Sequence, residues 1–343
     1  MPGSALPFEV VTPSNRRSRA ALATAAGLLA GAALDRVVAD PRRGHPVAVF
    51  GGAAARLERR MYAPSRARGA AFTLIAAAVP TTAGAAVVRR AGPLARFAVT
   101  AAATWAVVGG AMLGREAAAV ADALEAGDLA EARRLLPRLC GRDPRHLDEK
   151  GVARAVVESV AENTSDAAVG PLVWGAVLGP AGLVGYRAVN TLDAMVGHRS
   201  PRYERFGWAA ARLDDVANWT PARLTAALAC AAAPVVGGRP SAARRVRARD
   251  GHRHPSPNSG HCEAAFAGAL GVRLGGANRY GERVEHRPEL GSGPPPGVAD
   301  IRRAVRLART VTAAAAVLAA AAAALPAVPG LRRWPERRGG RPV

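Results

Sequence analysis

The chain has 343 residues and a formal net charge of +21; half of its residues are apolar, but only 4% are aromatic. That length suits two ordinary domains or one polytopic membrane protein, and three widely separated cysteines, Cys140, Cys230 and Cys262, with no CxxC pair exclude a disulfide framework and a zinc ribbon. The basic excess does not indicate a nucleic-acid partner: Lys150 is the only lysine, the arginines sit between apolar runs, and there is no basic stripe interleaved with aromatics, so the charge reads as membrane-flanking.

In chain order, Arg16, Arg17 and Arg19 precede an apolar run from Ala20 to Leu34. A cleaved signal peptide and a first membrane helix both fit. The helix is preferred, because the run leads directly into a motif that cleavage would sever. Residues 35–68 are polar and arginine-rich. Gly69 to Val88 has spanning length between arginine pairs, and its Pro80 is tolerable in a membrane helix. Phe97 to Leu113 is a second, shorter apolar run, joined to the first by a turn at Arg89–Arg96. Arg115 to Leu139 reads as two amphipathic helices meeting at Gly127-Asp128, with Asp128 as N-cap.

Asp148 is placed to cap a helix from Glu149 to about Asn163. The next apolar run, Ala167 to Val189, is broken at Gly170-Pro171 and Gly179-Pro180, which suggests half-helices or a re-entrant segment. Pro221 to Val236 is apolar, residues 239–306 are polar with many Gly, Pro and Arg, and Ala308 to Leu325 is nearly all apolar. No strand-like alternation stands out. The fold class is all-α: a polytopic membrane protein with roughly five or six apolar helices by spanning length and polar helical and loop segments forming the active site. Arginine counts put residues 35–68 and 114–165 inside. A single site needs all the polar motifs on one face, so a broken segment is expected not to cross.

Four polar stretches can carry chemistry. Asp35, Asp40-Pro41 and His45-Pro46-Val47 cluster after the first helix, where Asp-Pro also serves as an ordinary turn starter. Glu158, Glu162 and Asp166 recur every fourth residue and share a face if the helix continues. Arg154 can pair with Glu158 in a solvated face; alternatively the three carboxylates hold a magnesium ion beside phosphates. Tyr186 to Leu224 places Asn190 and Asp193 a turn apart, and Arg212, Asp214, Asp215 and Asn218 within two turns. Polar groups so close to apolar runs either pair or bind a ligand. His254-Pro255-Ser256-Pro257-Asn258-Ser259-Gly260 leads into a small-residue helix whose start favours an anion, or is a stiff connector. His254, His261 and Cys262 fit no zinc spacing.

Taken in order, LDxxxxDP…HPV, VESVAENTSD, AVNTLDAMVG, RFGWAAARLDDVANWTPARL and HPSPNSGHCEAAFAGALGVRLGG resemble the adenosylcobinamide-phosphate synthase family of cobalamin biosynthesis over most of residues 34–290. Ala39 stands where glycine is usual, Arg187 where lysine is expected, and His198 where an aromatic is expected. The resemblance implies one polytopic synthase domain in the cytoplasmic membrane, expected over 20–330; a disordered arm (1–19) and a basic disordered tail (331–343) flank it and match nothing in the family. It implies ATP-driven amide formation between a propionate of adenosylcobyric acid and aminopropanol or its phosphate, with Mg and ATP used in the reaction and no tightly bound cofactor. Other corrinoid-pathway enzymes are implied as partners.

That chemistry needs a magnesium site, cations over phosphates and a base for the ammonium; no Walker loop is present. Glu158, Glu162, Asp166 and Asp215, with Arg212, are expected to be catalytic, the first three holding magnesium. Arg187, Arg199 and Arg212 are expected on phosphate, and His254 and His261 beside the amine. Asp35, Asp40, His45, Asn190, Asp193, Ser256 and Asn258 complete the expected substrate-binding set. A transporter would also explain broken helices and buried charge, but predicts inverted repeats, which the sequence does not show. A non-catalytic scaffold of the corrinoid pathway is the third reading.

Overall fold

The computed structural model describes residues 13–38, 44–198, 200–280 and 283–325. The chain is helical almost throughout. Its first half comprises α1 (Pro13–Val37), α2 (Pro46–Met61), α3 (Arg66–Arg89), α4 (Pro93–Val107), α5 (Gly110–Glu125), α6 (Leu129–Leu135) and α7 (Glu149–Asn163). A π-helical segment, Thr164–Val169, leads into α8 (Gly170–Leu178) and α9 (Pro180–Leu192), and a second, Asp193–Gly197, follows. Then come α10 (Tyr203–Phe206), α11 (Trp208–Ala217), α12 (Trp219–Ala231), α13 (Pro240–Asp250), α14 (Ser259–Leu270), the antiparallel strands β1 (Leu274–Tyr280) and β2 (Arg283–Leu290), and α15 (Val298–Ala324).

The caps read from the sequence hold. The Asp148 carboxylate accepts from the Gly151 amide at 2.8 Å, and that of Asp128 from the Glu131 amide at 2.8 Å, satisfying N–H groups that have no intrahelical partner. The hairpin is a correction. Its first strand carries Gly275 and Gly276 at positive φ, and a register shift there erases the alternation a strand normally shows.

Four stretches are long and apolar enough to cross a membrane: Asn15–Val37, Arg66–Arg89, Pro93–Glu125 and Val298–Ala324. Most of their residues are not covered by protein, and exposed leucines and valines such as Leu22, Leu29, Leu74, Val79, Val317 and Leu318 face outward, as lipid-facing helices require. The protein is a membrane protein with fewer spans than the five or six expected, for two reasons. The 221–236 run forms α12 and a short turn with Ala222, Ala226, Ala229 and Ala233 buried inside the protein, and the broken 167–189 run does not cross.

Contacts between helices fix their directions. Gly27 and Gly31 of α1 lie against Thr100 and Thr104 of α4, so those two helices run parallel; a Cβ on Gly27 would stand 2.6 Å from that of Thr100. Small residues four apart allow this approach in a membrane. Gly84 of α3 meets Ala181 of α9 while Thr81 meets Gly185, so that pair is antiparallel. Helix α15 is antiparallel to α5: Arg302 pairs with Asp122 and Glu125 at one end, and Thr312 faces Gly110 at the other.

The α8–α9 hairpin is re-entrant. Gly175 packs on Leu28, and the tip at Gly179 reaches Thr24, midway along α1. The chain turns there because Gly179 adopts φ +61, ψ −144, a region closed to side-chain-bearing residues. Helix α9 then returns, so that Leu192 and Val196 join Phe72 and Ala76 near the start of α3. Both mouths of the hairpin therefore lie on the face where α1 and α4 end. The break between α4 and α5 is closed there by the Gly109 amide donating to the Ala167 carbonyl at 2.8 Å. The described residues of the four polar stretches converge on this one face, and the Arg89–Pro93 turn lies on the other.

Two outcomes follow. In a cysteine-free background, His146→Cys and His252→Cys should label with a membrane-impermeant maleimide from one compartment only, and Gly92→Cys from the other; His146→Cys and Gly92→Cys labelling from the same side would overturn the re-entrant topology. Gly31→Ala should lower stability in detergent by about 1–3 kcal/mol through overpacking against Thr104. Gly51→Ala, with open space around it, should be neutral or stabilising by up to about 1 kcal/mol.

Candidate active site

The π-helical segment decides where the first carboxylates go. A π turn inserts an extra residue, so the every-fourth spacing of Glu158, Glu162 and Asp166 does not leave them on one stripe. Glu158 is buried; one carboxylate oxygen receives the Arg142 guanidinium, and the other receives the Gly275 amide at 2.7 Å. Arg154, the partner expected from the sequence, stands 4.0 Å from Glu158 and donates to the backbone carbonyls of Gly275 and Ala277. Glu158 thus fastens the 139–148 loop and the hairpin to α7. Of the residues expected to hold magnesium, Glu158, Glu162 and Asp166, it is Glu158 whose two oxygens are already engaged. Among the described residues no three His, Cys, Asp or Glu side chains form a ready-made metal site, and the oxygens of Glu158 are held by an arginine and an amide.

The other acids gather at the mouth of the hairpin. Asp166 on the π segment, Asp193 after α9, Asp214 on α11 and Glu162 on α7 act on one another electrostatically, with Arg187 as the opposing cation. Asn190 and Asn218 hold Asp214, donating to its two oxygens at 3.4 and 2.9 Å. Tyr186 donates to the Asn218 side-chain oxygen at 2.6 Å and lies against the Asp166 carbonyl at 3.1 Å. Arg187 donates to the Asn190 side-chain oxygen at 3.3 Å, and the Ser259 hydroxyl donates to Glu162 at 2.8 Å.

All four elements lie outside the spans, and the charge state follows from burial. Burial first, then Asp214, Glu162 and Asp193, pushes the Asp166 carboxyl well above the ordinary carboxylate range. Burial raises Asp214 also, against the hydrogen bonds from Asn218 and Asn190. Asp193 is pushed up to about 7 by burial, then by Asp214, Asp215 and Glu162. Asp215 is raised by burial and lowered by Arg212.

Two cavities open beside the cluster. A cleft of about 440 Å³ is lined by His45, Arg138, Glu116, Asn163 and Arg187. A smaller one of about 160 Å³, sharing Leu139 with it, is lined by Arg142, Glu158, Glu162, Glu263 and Arg287. His45 and Arg187, far apart in sequence, therefore face one space beside Asn163, as a substrate site requires.

Other expected residues take different places. His254 is buried, accepting the Ser256 amide on Nδ1 at 3.1 Å with Arg287 3.3 Å from Nε2. The Ser256 hydroxyl accepts the amides of Asn258 and Ser259 at 3.3 and 3.2 Å, and Asn258 donates to the Asp215 carbonyl at 2.8 Å. The amides expected to cradle an anion are thus engaged within the loop, and the Glu162 carboxylate sits at the start of α14, supporting the connector reading. His261 is half-buried against Gly251. Arg212 is exposed and pairs with Asp215 at 3.5 Å. Asp35 accepts the Ala111 amide at 3.0 Å at the start of α5. Asp40 and Arg199 lie outside the described residues.

Sequence reasoning placed Asp214 in the polar stretch that starts at Tyr186 but gave neither residue a role, and it passed over Arg142 and Glu263. Asn218 lies one turn after Asp214, a signal that Asp214 rather than Asp215 faces inward. An acid in the small-residue run of α14, Glu263, is a comparable signal.

The family model described as CobD/Cbib protein matches residues 28–308. The chain is 56% identical over 289 residues to the cobalamin biosynthesis protein CobD of Mycobacterium tuberculosis (strain CDC 1551 / Oshkosh), covering 84% of this chain and 92% of that protein. It is 44% identical over 286 residues to the CobD of Rhodobacter capsulatus (79% and 87% covered) and 45% identical over 271 residues to that of Geobacter metallireducens (77% and 85%). No solved structure matches significantly.

The raised carboxyls predict the sign of the pH dependence. Asp193 has an ordinary value of 3.8 and one of about 7 here, so between those values the folded chain holds a proton that the unfolded chain releases. Its contribution to stability is full below the lower value and is lost as pH rises through the upper one. The unfolding midpoint in detergent should fall from pH 5 to pH 8, and Asp193→Asn should flatten that fall. An unchanged slope in the variant would show that Asp193 does not carry it.

Proposed function

This chain belongs to the CobD/Cbib family and is a protein of cobalamin biosynthesis; from that premise we propose that it is an ATP-dependent ligase joining a propionate of adenosylcobyric acid to aminopropanol or its phosphate. The supporting observation is a cluster of carboxylates in excess over cations, at the edge of a cleft that His45 and Arg187 line. A propionate oxygen attacks the γ-phosphorus of ATP; the bridging P–O bond breaks and ADP leaves, giving an acyl phosphate. The amine attacks the acyl carbon, the C–O bond to phosphate breaks, and phosphate departs.

The ammonium must first lose a proton. A carboxyl raised toward neutrality is suited to take it, and Asp214 and Asp193 have that character. Asn190 and Asn218 orient Asp214 for the transfer. Arg187 faces the developing phosphate charge. The donor set fits magnesium: hard carboxylate oxygens, where one or two suffice because phosphates and water complete the shell. Glu162 and Asp166 would hold it, and the ion would offset charge on ATP. The site face is assigned to the cytoplasm, where ATP is, and other corrinoid-pathway enzymes working on that face are natural partners.

Purified protein with ATP, magnesium, adenosylcobyric acid and aminopropanol phosphate should form the amide with one ADP per product, detected by mass spectrometry. Glu162→Gln and Asp214→Asn should each lower kcat by about 10²–10⁴-fold with little change in unfolding midpoint. Glu158→Gln should act differently, costing about 3–5 kcal/mol of stability because it removes the buried carboxylate that pairs with Arg142. Normal turnover in both Glu162→Gln and Asp214→Asn would remove the cluster from the chemistry; no amide from the wild-type protein would remove the reaction itself.

A further inference from the structure

A third cavity lies on the other side of α5. Its volume is about 360 Å³, and it is lined by Asp35, Arg36, Gly110, Ala111, Arg115, Arg309 and Thr312. The cleft with His45 and Arg187 uses Gly109, Met112, Leu113 and Glu116 of the same segment, so α5 separates the two spaces. Three helices bring the arginines together: Arg36 from the last turn of α1, Arg115 from α5, and Arg309 from α15, where it lies along Gly114. Arg36 donates to the Arg309 carbonyl at 3.2 Å. Among the described residues none of these arginines pairs with a carboxylate. The one acid in the lining, Asp35, is buried, and one of its oxygens accepts the Ala111 amide. The cavity therefore faces outward with cations and inward with a helix start.

Its level in the membrane is also set. Arg36 lies at the end of a span, and the cavity sets Gly110 of α5 and Thr312 of α15 beside it. Below it, α1 and α15 expose Leu29, Val317 and Leu318. Guanidinium groups at this depth meet lipid phosphates, and apolar helix surface beneath them meets acyl chains.

We propose that this cavity is a binding site for a phosphate group, supplied by an acidic phospholipid whose headgroup enters between Arg36, Arg115 and Arg309 while its chains lie along α1 and α15. The shared chemistry with soluble phosphate is the arginine-lined concavity; the position at the membrane surface, with exposed leucine and valine below, favours the lipid.

The test uses full-length protein in detergent, titrated with short-chain phosphatidylglycerol, short-chain phosphatidylcholine, inorganic phosphate or ATP. Binding is read by native mass spectrometry and by the shift in unfolding midpoint. Phosphatidylglycerol should be retained and raise the midpoint, while phosphatidylcholine should not. Arg115→Gln with Arg309→Gln should weaken that binding about thirtyfold, from the loss of two surface arginines, with an unchanged midpoint in phosphatidylcholine. Arg115→Gln alone, at an exposed residue with no bond to lose, covers the case in which the double variant does not fold, and should weaken binding about fivefold. Equal retention of phosphatidylcholine, or variants that bind phosphatidylglycerol as the wild type does, would overturn the proposal. So would inorganic phosphate or ATP displacing the lipid at equal concentration, which would make the source a soluble phosphate.

Discussion

A backbone that turns around inside a bilayer has no water to satisfy its N–H and C=O groups, and the organisation of this protein rests on how it meets that constraint. The α8–α9 hairpin turns at Gly179 against Thr24 and packs on α1, α3 and α4, while Val177 and Leu178 beside the turn stay exposed. At its mouth, the break between two other helices is closed by a carbonyl from the π segment that opens the hairpin. Since the hairpin goes in and comes out on one face, the acids before it and the acids after it share a compartment. A hairpin that crossed would put Asp166 and Asp193 a membrane thickness apart.

Small residues are the means. Gly175 and Gly182 bring α8 and α9 together, and Gly170 lies flat against the ring of Tyr186. That ring stands between Asp166 and Asn218, so close packing of the hairpin also places the hydroxyl that orders the acidic mouth. Packing and polar order are therefore one arrangement, as buried networks with every member partnered tend to be.

Much of this was legible in the sequence. Helix starts at Asp128 and Asp148 follow from local hydrogen-bonding chemistry, which neighbours cannot easily overrule. The re-entrant character of 167–189 was visible in its two Gly-Pro breaks, and convergence on one face followed from the need for a single site. Three features were not legible. Spacing along α7 assumed a regular helix, and the π turn that displaces Asp166 has no local signature. Arg142 competes for Glu158 from sixteen residues away, so its claim is tertiary. The strands begin with two glycines and a bulge, which hides their alternation. Hydropathy also counted 221–236 as a span, because it cannot distinguish burial in protein from burial in lipid.

The charge pattern has a consequence for traffic. The chain as a whole carries +21, yet the mouth of the hairpin collects carboxylates, with Arg187 among the cations that oppose them. Fields of opposite sign act at different ranges. Beyond a Debye length, about 8 Å at physiological ionic strength, exposed charges are largely screened, so the broad positive surface acts on anions only at short range. The acidic mouth, walled by low-dielectric helices, keeps its field to itself and favours cationic groups at close range. One protein thereby carries two fields of opposite sign without either cancelling the other, a sorting by distance rather than by separate doors.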